Sequence, residues 1–150
     1  MLHGKHKWFS ATLNRQMIEP TEKQKIGQIG EDIAVKYLEN KGFSIIERNY
    51  RKKYGEIDIV AKKNEKVHFI EVKSVSCESF HQNVSRVTDR HRPEDNIHPY
   101  KLKRLTRTIQ VYLLESFPKG EPEWVFDAIT VTLNMKTKQA RVKFLESLVL

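Results

Sequence analysis

Twenty residues, Tyr54–Lys73, carry the densest chemistry of the chain: YGEIDIVAKKNEKVHFIEVK. Acids and a lysine sit there among strand-forming apolar residues. Glu71 and Lys73 are two apart, so on a strand they share a face with Val67, Phe69 and Val75, while His68, Ile70 and Val72 take the other face. On the preceding strand Asp58 shares a face with Glu56 and Val60. A hairpin closed on a two-residue loop at Asn64-Glu65 would pair Lys63 with Lys66, set Asp58 opposite Glu71 and set Glu56 opposite Lys73. Two carboxylates directly opposite destabilise each other, so such a register calls for a cation, a shared proton or a neighbouring base. Mg²⁺ takes one or two carboxylates plus water and substrate phosphate. Asp58 and Glu71, with a backbone carbonyl, would hold Mg²⁺ or Mn²⁺. The ion would polarise a phosphate and lower the pKa of bound water, and Lys73 would hold the scissile phosphate or orient the attacking water. The same charges also suit the solvated face of an edge hairpin, where lysine discourages aggregation.

These strands need neighbours to position them. A helix is expected after Pro20, with Thr21 as N-cap and Gln24 as a weaker capping-box partner than glutamate. Ile26, Ile29, Ile33, Tyr37 and Leu38 recur on it at helical spacing, and Gly42 ends it as a C′ residue. Strands follow at Phe43–Tyr50, Glu56–Ala61 and Lys66–Val75. Ser76–His98 reads as a long loop rich in arginine and histidine, of a length that is usually functional or disordered. Pro99 suits the first position of a second helix, whose buried stripe is Leu102, Leu105, Ile109, Tyr112 and Leu113. Strands at Glu123–Leu133 and Gln139–Leu145 close the chain. The order predicts an α/β fold, a mixed sheet with helices packed on it. The expected organisation is a basic N-terminal arm over 1–20 and one domain over 21–150.

Composition narrows the function. The chain has 150 residues, 27 Lys and Arg against 19 Asp and Glu, and a formal charge of +8. That surplus favours polyanionic partners, nucleic acid first and an anionic membrane surface second. The longest apolar run, Val111–Leu114, is far short of the roughly 20 residues of a membrane helix. No basic amphipathic helix with a broad aromatic face supports surface binding to a membrane. The first ten residues hold no secretory apolar core, and a lone Cys77 forms no intrachain disulfide. A cytoplasmic protein is the expectation. Lys101, Lys103, Arg104 and Arg107 crowd the start of the second helix, which suits phosphate contacts that position nucleic acid without reading sequence. Gly27 and Gly30 lie within one turn of the first helix, where each costs roughly 1 kcal/mol relative to alanine, so a packing or site reason is expected for them. His68 reads as a packed strand residue and Asp127 as a hydrogen-bonded strand acid.

Gly55-Glu56-Ile57-Asp58 followed by Ile70-Glu71-Val72-Lys73 resembles the Asp…Glu-x-Lys core of the PD-(D/E)XK, restriction endonuclease-like superfamily. A closer resemblance is to the YraN family of small bacterial proteins. It rests on Gly27-Gln28-Ile29-Gly30-Glu31, Asn49-Tyr50-Arg51, the two strand motifs, Lys101-Leu102-Lys103-Arg104-Leu105 and Phe126-Asp127, in that order across Ile26–Leu133. The superfamily's proline before the aspartate is Ile57 here, and Ser76–His98 is longer than the family's usual loop. The resemblance implies a restriction endonuclease-like mixed sheet flanked by helices. It implies metal ligation by Asp58 and Glu71, an active-site Lys73 and a helix-borne acid at Glu31. By analogy with resolvase-like relatives it implies a homodimer. The expected function is cleavage of nucleic-acid phosphodiesters, DNA or RNA, with Mg²⁺ or Mn²⁺. Lys101, Arg104 and Arg107 would contact the nucleic acid. The alternative is a non-catalytic nucleic-acid-binding module on the same fold.

Overall fold

A computed structural model describes residues 18–78 and 99–150. The expected N-terminal arm therefore falls almost wholly outside the described residues, as does the loop beyond Glu78. Helix α1 spans Glu22–Asn40, strands β1, β2 and β3 span Ser44–Lys52, Gly55–Lys63 and Lys66–Cys77, α2 spans Pro99–Ser116, and β4 and β5 span Trp124–Asn134 and Gln139–Leu148. Strand β3 runs two residues into the segment expected to be loop, because Ser76 and Cys77 pair with Leu133 and Asn134 of β4.

Both ends of α1 follow from local chemistry. The Thr21 hydroxyl accepts the Gln24 N–H while the Gln24 side chain accepts the Thr21 N–H, which satisfies two otherwise open donors. At the other end Gly42 has φ +87°, its N–H donates to Glu39 O, and Phe43 N–H donates to Leu38 O. That is a Schellman close, and the left-handed position favours glycine.

The five strands lie in sequence order, β1-β2-β3-β4-β5. All neighbours are antiparallel except β3 and β4, which are parallel and joined through α2. The helices cover opposite faces. Ala34 and Leu38 of α1 pack with Ile59, Ala61, Ile70, Ile129 and Val131. Leu105, Ile109, Tyr112 and Leu113 of α2 pack with Ile57, Val60, Val67, Phe69 and Phe126. The observed stripes differ slightly from the sequence expectation: Ile29 is 37% exposed, and Thr108 is buried on α2.

One helix glycine has a packing reason. A Cβ on Gly30 would stand 1.7 Å from the Ser74 hydroxyl oxygen, so glycine lets α1 settle on β3 at that point. The corresponding space at Gly27 is open.

Candidate functional site

The β2–β3 hairpin has the register that its sequence predicts. Asn64 and Glu65 form the loop with φ of +50° and +63°, Lys63 pairs with Lys66, and pairing runs on to Ile59 opposite Ile70. The next step would set Asp58 against Glu71. The ladder stops there instead, and the Asp58 carboxylate accepts the Val72 N–H at 2.7 Å. The other side of β2 is disturbed at the same level. Arg48 pairs with Ile59 and Tyr50 with Ile57, while Asn49 between them has φ +53°. Ile57 joins the cluster under α2, but Ile59 joins the cluster under α1. Strict strand alternation would put them together, so β2 changes face at Asp58. Glu56 faces β1 rather than β3: it pairs with Arg51 and the two side chains meet at 3.0 Å.

This fault in the sheet opens a cleft of about 580 Å³. Glu31, Asp58, Glu71, Lys101 and Arg104 all line it, from α1, β2, β3 and α2. Glu31 is the residue after the close-packed Gly30, and its carboxylate accepts from the Asn49 side-chain amide at 3.2 Å, with the Arg48 guanidinium 3.7 Å away. Glu71 is only 21% exposed. One of its oxygens, Oε1, accepts from the Lys101 ammonium, and the other, Oε2, is buried with no hydrogen-bond partner. Buried carboxylate oxygens rarely lack a partner, so this atom asks for one.

Asp58 titrates far from its ordinary range. Burial, opposed by the Val72 hydrogen bond and joined by the nearby negative charges of Glu31, Glu71 and Glu56, pushes its carboxyl up to about 7. A cation placed among these acids would reverse that balance. Among the described residues no group of three or more His, Cys, Asp or Glu side chains is arranged to hold a metal ion by itself. A metal could rest on Asp58 and Glu71 only with its shell completed by water, a backbone carbonyl and substrate oxygen, a hard all-oxygen set that fits Mg²⁺ or Mn²⁺. The partnerless Glu71 Oε2 is the feature that fits such an ion.

Two expected residues lie elsewhere. Lys73 is exposed and does not line the cleft. Arg107 also lies outside the lining, with its guanidinium 4.7 Å from the centre of the Tyr54 ring. Arg104 does line the cleft, but its Nε donates to Tyr54 O at 2.6 Å, so part of its work is to hold the β1–β2 turn to α2. Gly55 beside that turn leaves room for the Thr108 hydroxyl, which a Cβ would approach to 2.5 Å. The sequence reading gave no role to Arg48, Asn49 or Arg51, although Asn49 and Arg51 belong to the Asn-Tyr-Arg run that carries the family resemblance. Away from the cleft, His68 Nδ1 and Asp127 Oδ2 are 2.6 Å apart, and Asp127 Oδ1 accepts the Ser147 N–H, as suits a packed histidine and a bonded strand acid.

The model of the family described as Uncharacterised protein family UPF0102 matches residues 30–131. A UPF0102 protein of Persephonella marina is 37% identical over 108 residues, 72% of this chain and 84% of its own. One of Campylobacter hominis is 33% identical over 124 residues, 83% of this chain and 93% of its own. One of Campylobacter jejuni is 43% identical over 90 residues, 60% of this chain and 70% of its own.

Proposed function

The chain belongs to the uncharacterised protein family UPF0102, the YraN family of the motif reading, and from that premise and the cleft we propose that it is a divalent-metal-dependent nuclease of the PD-(D/E)XK type. The single observation that carries the proposal is the buried, partnerless Glu71 Oε2 in the same cleft as the Asp58 carboxyl, which burial and neighbouring acids push up to about 7. Asp58 and Glu71 would hold Mg²⁺ or Mn²⁺, and the ion supplies charge neutralisation and a more acidic bound water. Glu31, fixed by Asn49 and Arg48, would orient an attacking water from the α1 side. Lys101 and Arg104 present positive charge to a phosphodiester entering the cleft, and Arg107 extends that charge along α2. Positioning and charge stabilisation would supply most of the rate.

A non-catalytic nucleic-acid-binding module is the second reading. It is favoured by the exposed position of Lys73 outside the cleft. One experiment separates the two. The protein and its Glu71→Gln variant are incubated with linear duplex, single-stranded and branched DNA and with structured RNA, in Mg²⁺, Mn²⁺ or EDTA. Metal-dependent cutting lost in the variant supports the nuclease and identifies its substrate. Binding to every substrate without cutting supports the module.

A further inference from the structure

The first turn of α2 places Lys101 where an ion would otherwise be wanted. Its ammonium contacts Glu71 Oε1, across 30 residues of sequence, while Glu71 Oε2 stays buried and unpartnered. Glu31 and Glu56 line the same cleft, so Glu71 stands among like charges. Arg48 is committed to Glu31 and Asp32, and Arg51 to Glu56. Of the cations described at the cleft, Lys101 is thus the one set against a proposed metal ligand. It is also a poor permanent partner. Its side chain is 62% exposed, and an exposed lysine is a flexible point charge whose ion pairs are weak. The backbone beneath it is well anchored, by Arg104 on Tyr54 O and by buried Leu105. The ammonium can therefore swing without displacing the helix.

We propose that Lys101 is an exchangeable counter-ion: it neutralises Glu71 in the metal-free protein and leaves it for the substrate phosphodiester when a divalent cation binds. This rests on the metal-dependent reading above and adds to it a coupling between metal and substrate. A phosphate that draws Lys101 away frees Glu71 for the metal, and a metal on Glu71 frees Lys101 for the phosphate. The two ligands must then raise each other's affinity by the same factor. Lys101 acts here as a positioning residue for both, and Lys73 takes no part.

The test is calorimetric titration of Mn²⁺ into the full chain and its Lys101→Met, Lys101→Arg, Lys73→Met and Glu71→Gln variants. Each titration is run alone and with a phosphorothioate oligonucleotide, which keeps its charge and resists hydrolysis. Lys101→Met is expected to bind Mn²⁺ about tenfold tighter than wild type when alone, and to gain nothing from the oligonucleotide. Wild type, Lys101→Arg and Lys73→Met are expected to start weaker and to tighten about tenfold when the oligonucleotide is present. Lys101→Met with wild-type or weaker Mn²⁺ affinity, while Glu71→Gln abolishes binding, overturns the exchange and leaves the metal site standing. No Mn²⁺ binding by any of the five proteins overturns the metal site itself and the exchange with it.

Discussion

Asp58→Asn is expected to make the protein more stable while removing the proposed metal binding. The wild-type carboxyl is pushed from an ordinary 3.8 to about 7 by burial and by the acids around it. At about 1.4 kcal/mol per pKa unit, ionising this group in the folded chain costs on the order of 4 kcal/mol. The sign follows from proton uptake. Between pH 3.8 and about 7 the folded state holds a proton that the unfolded state has lost, so stability falls as pH rises through that window, and the full cost is present above it. An asparagine has the same shape and still offers an oxygen to the Val72 N–H, but a neutral acceptor is weaker, which returns about 1 kcal/mol. The net gain is roughly 2–3 kcal/mol at pH 8, or about 5–10 °C in Tm for a chain of this size. The assay is urea and thermal unfolding of both proteins in EDTA from pH 4 to pH 8.5. The stability difference should grow from pH 4 to pH 7 and level off above. Added Mn²⁺ should then raise the wild-type Tm at pH 8 and leave the variant unchanged, because only a ligand that binds the folded state stabilises it. A difference that does not vary with pH, or a variant less stable than wild type at pH 8, would refute the buried-acid account of the cleft.

Three other predictions concern the frame around it. Gly30→Ala should cost about 1–3 kcal/mol in urea melts, because its Cβ meets Ser74 at 1.7 Å, and Ser74→Gly should restore most of that loss. Gly27→Ala, in open space on the same helix, should instead stabilise by about 0.5–1 kcal/mol, and a loss there would show that Gly27 serves the fold. Asp127→Ala strips an acceptor from both His68 and the Ser147 N–H and should cost about 2–4 kcal/mol without moving the Mn²⁺ titration. An unchanged urea midpoint would mean that this buried pair contributes nothing.

Much of this arrangement was legible in the sequence because it depends on local chemistry. Thr21 and Gln24 announce the start of α1, Gly42 its end, and Asn64-Glu65 a two-residue loop that fixes the β2–β3 register. Register then brings Asp58 and Glu71 to one place, since a strand's side chains alternate with period two. What stayed hidden depends on departures from that period. Alternation alone puts Lys73 beside Glu71 on one face, but lining the cleft also depends on how far the cleft extends along β3, and it reaches only Val72. Glu56 was expected against Lys73, yet it turns to Arg51 because pairing with β1 continues past the point where pairing with β3 stops. Lys101 read as a phosphate contact at the basic start of α2 and not as a partner of Glu71, since nothing local says that a residue 30 positions downstream returns to Glu71.

The interruption at Asp58 is what joins the fold to the chemistry. A regular five-stranded sheet would present Asp58 and Glu71 side by side on a paired surface, with every backbone donor already used. Here Asn49, opposite Asp58 on β1, takes a left-handed turn, and asparagine tolerates that conformation better than most residues. Its side-chain amide then reaches Glu31 on α1. On the other side the β3 backbone N–H of Val72, no longer matched to a β2 carbonyl in the ladder, is satisfied by the Asp58 carboxylate. Asp58 thus repairs the gap that its own strand makes, and the repair draws it into the low-dielectric interior that raises its pKa. The same fault exposes one flank of Glu71 to Lys101 and leaves its other oxygen sealed and unmatched. Closing the fault would strengthen the sheet and erase the cleft, so the local instability at Asp58 and the proposed cation site have one origin in this strand.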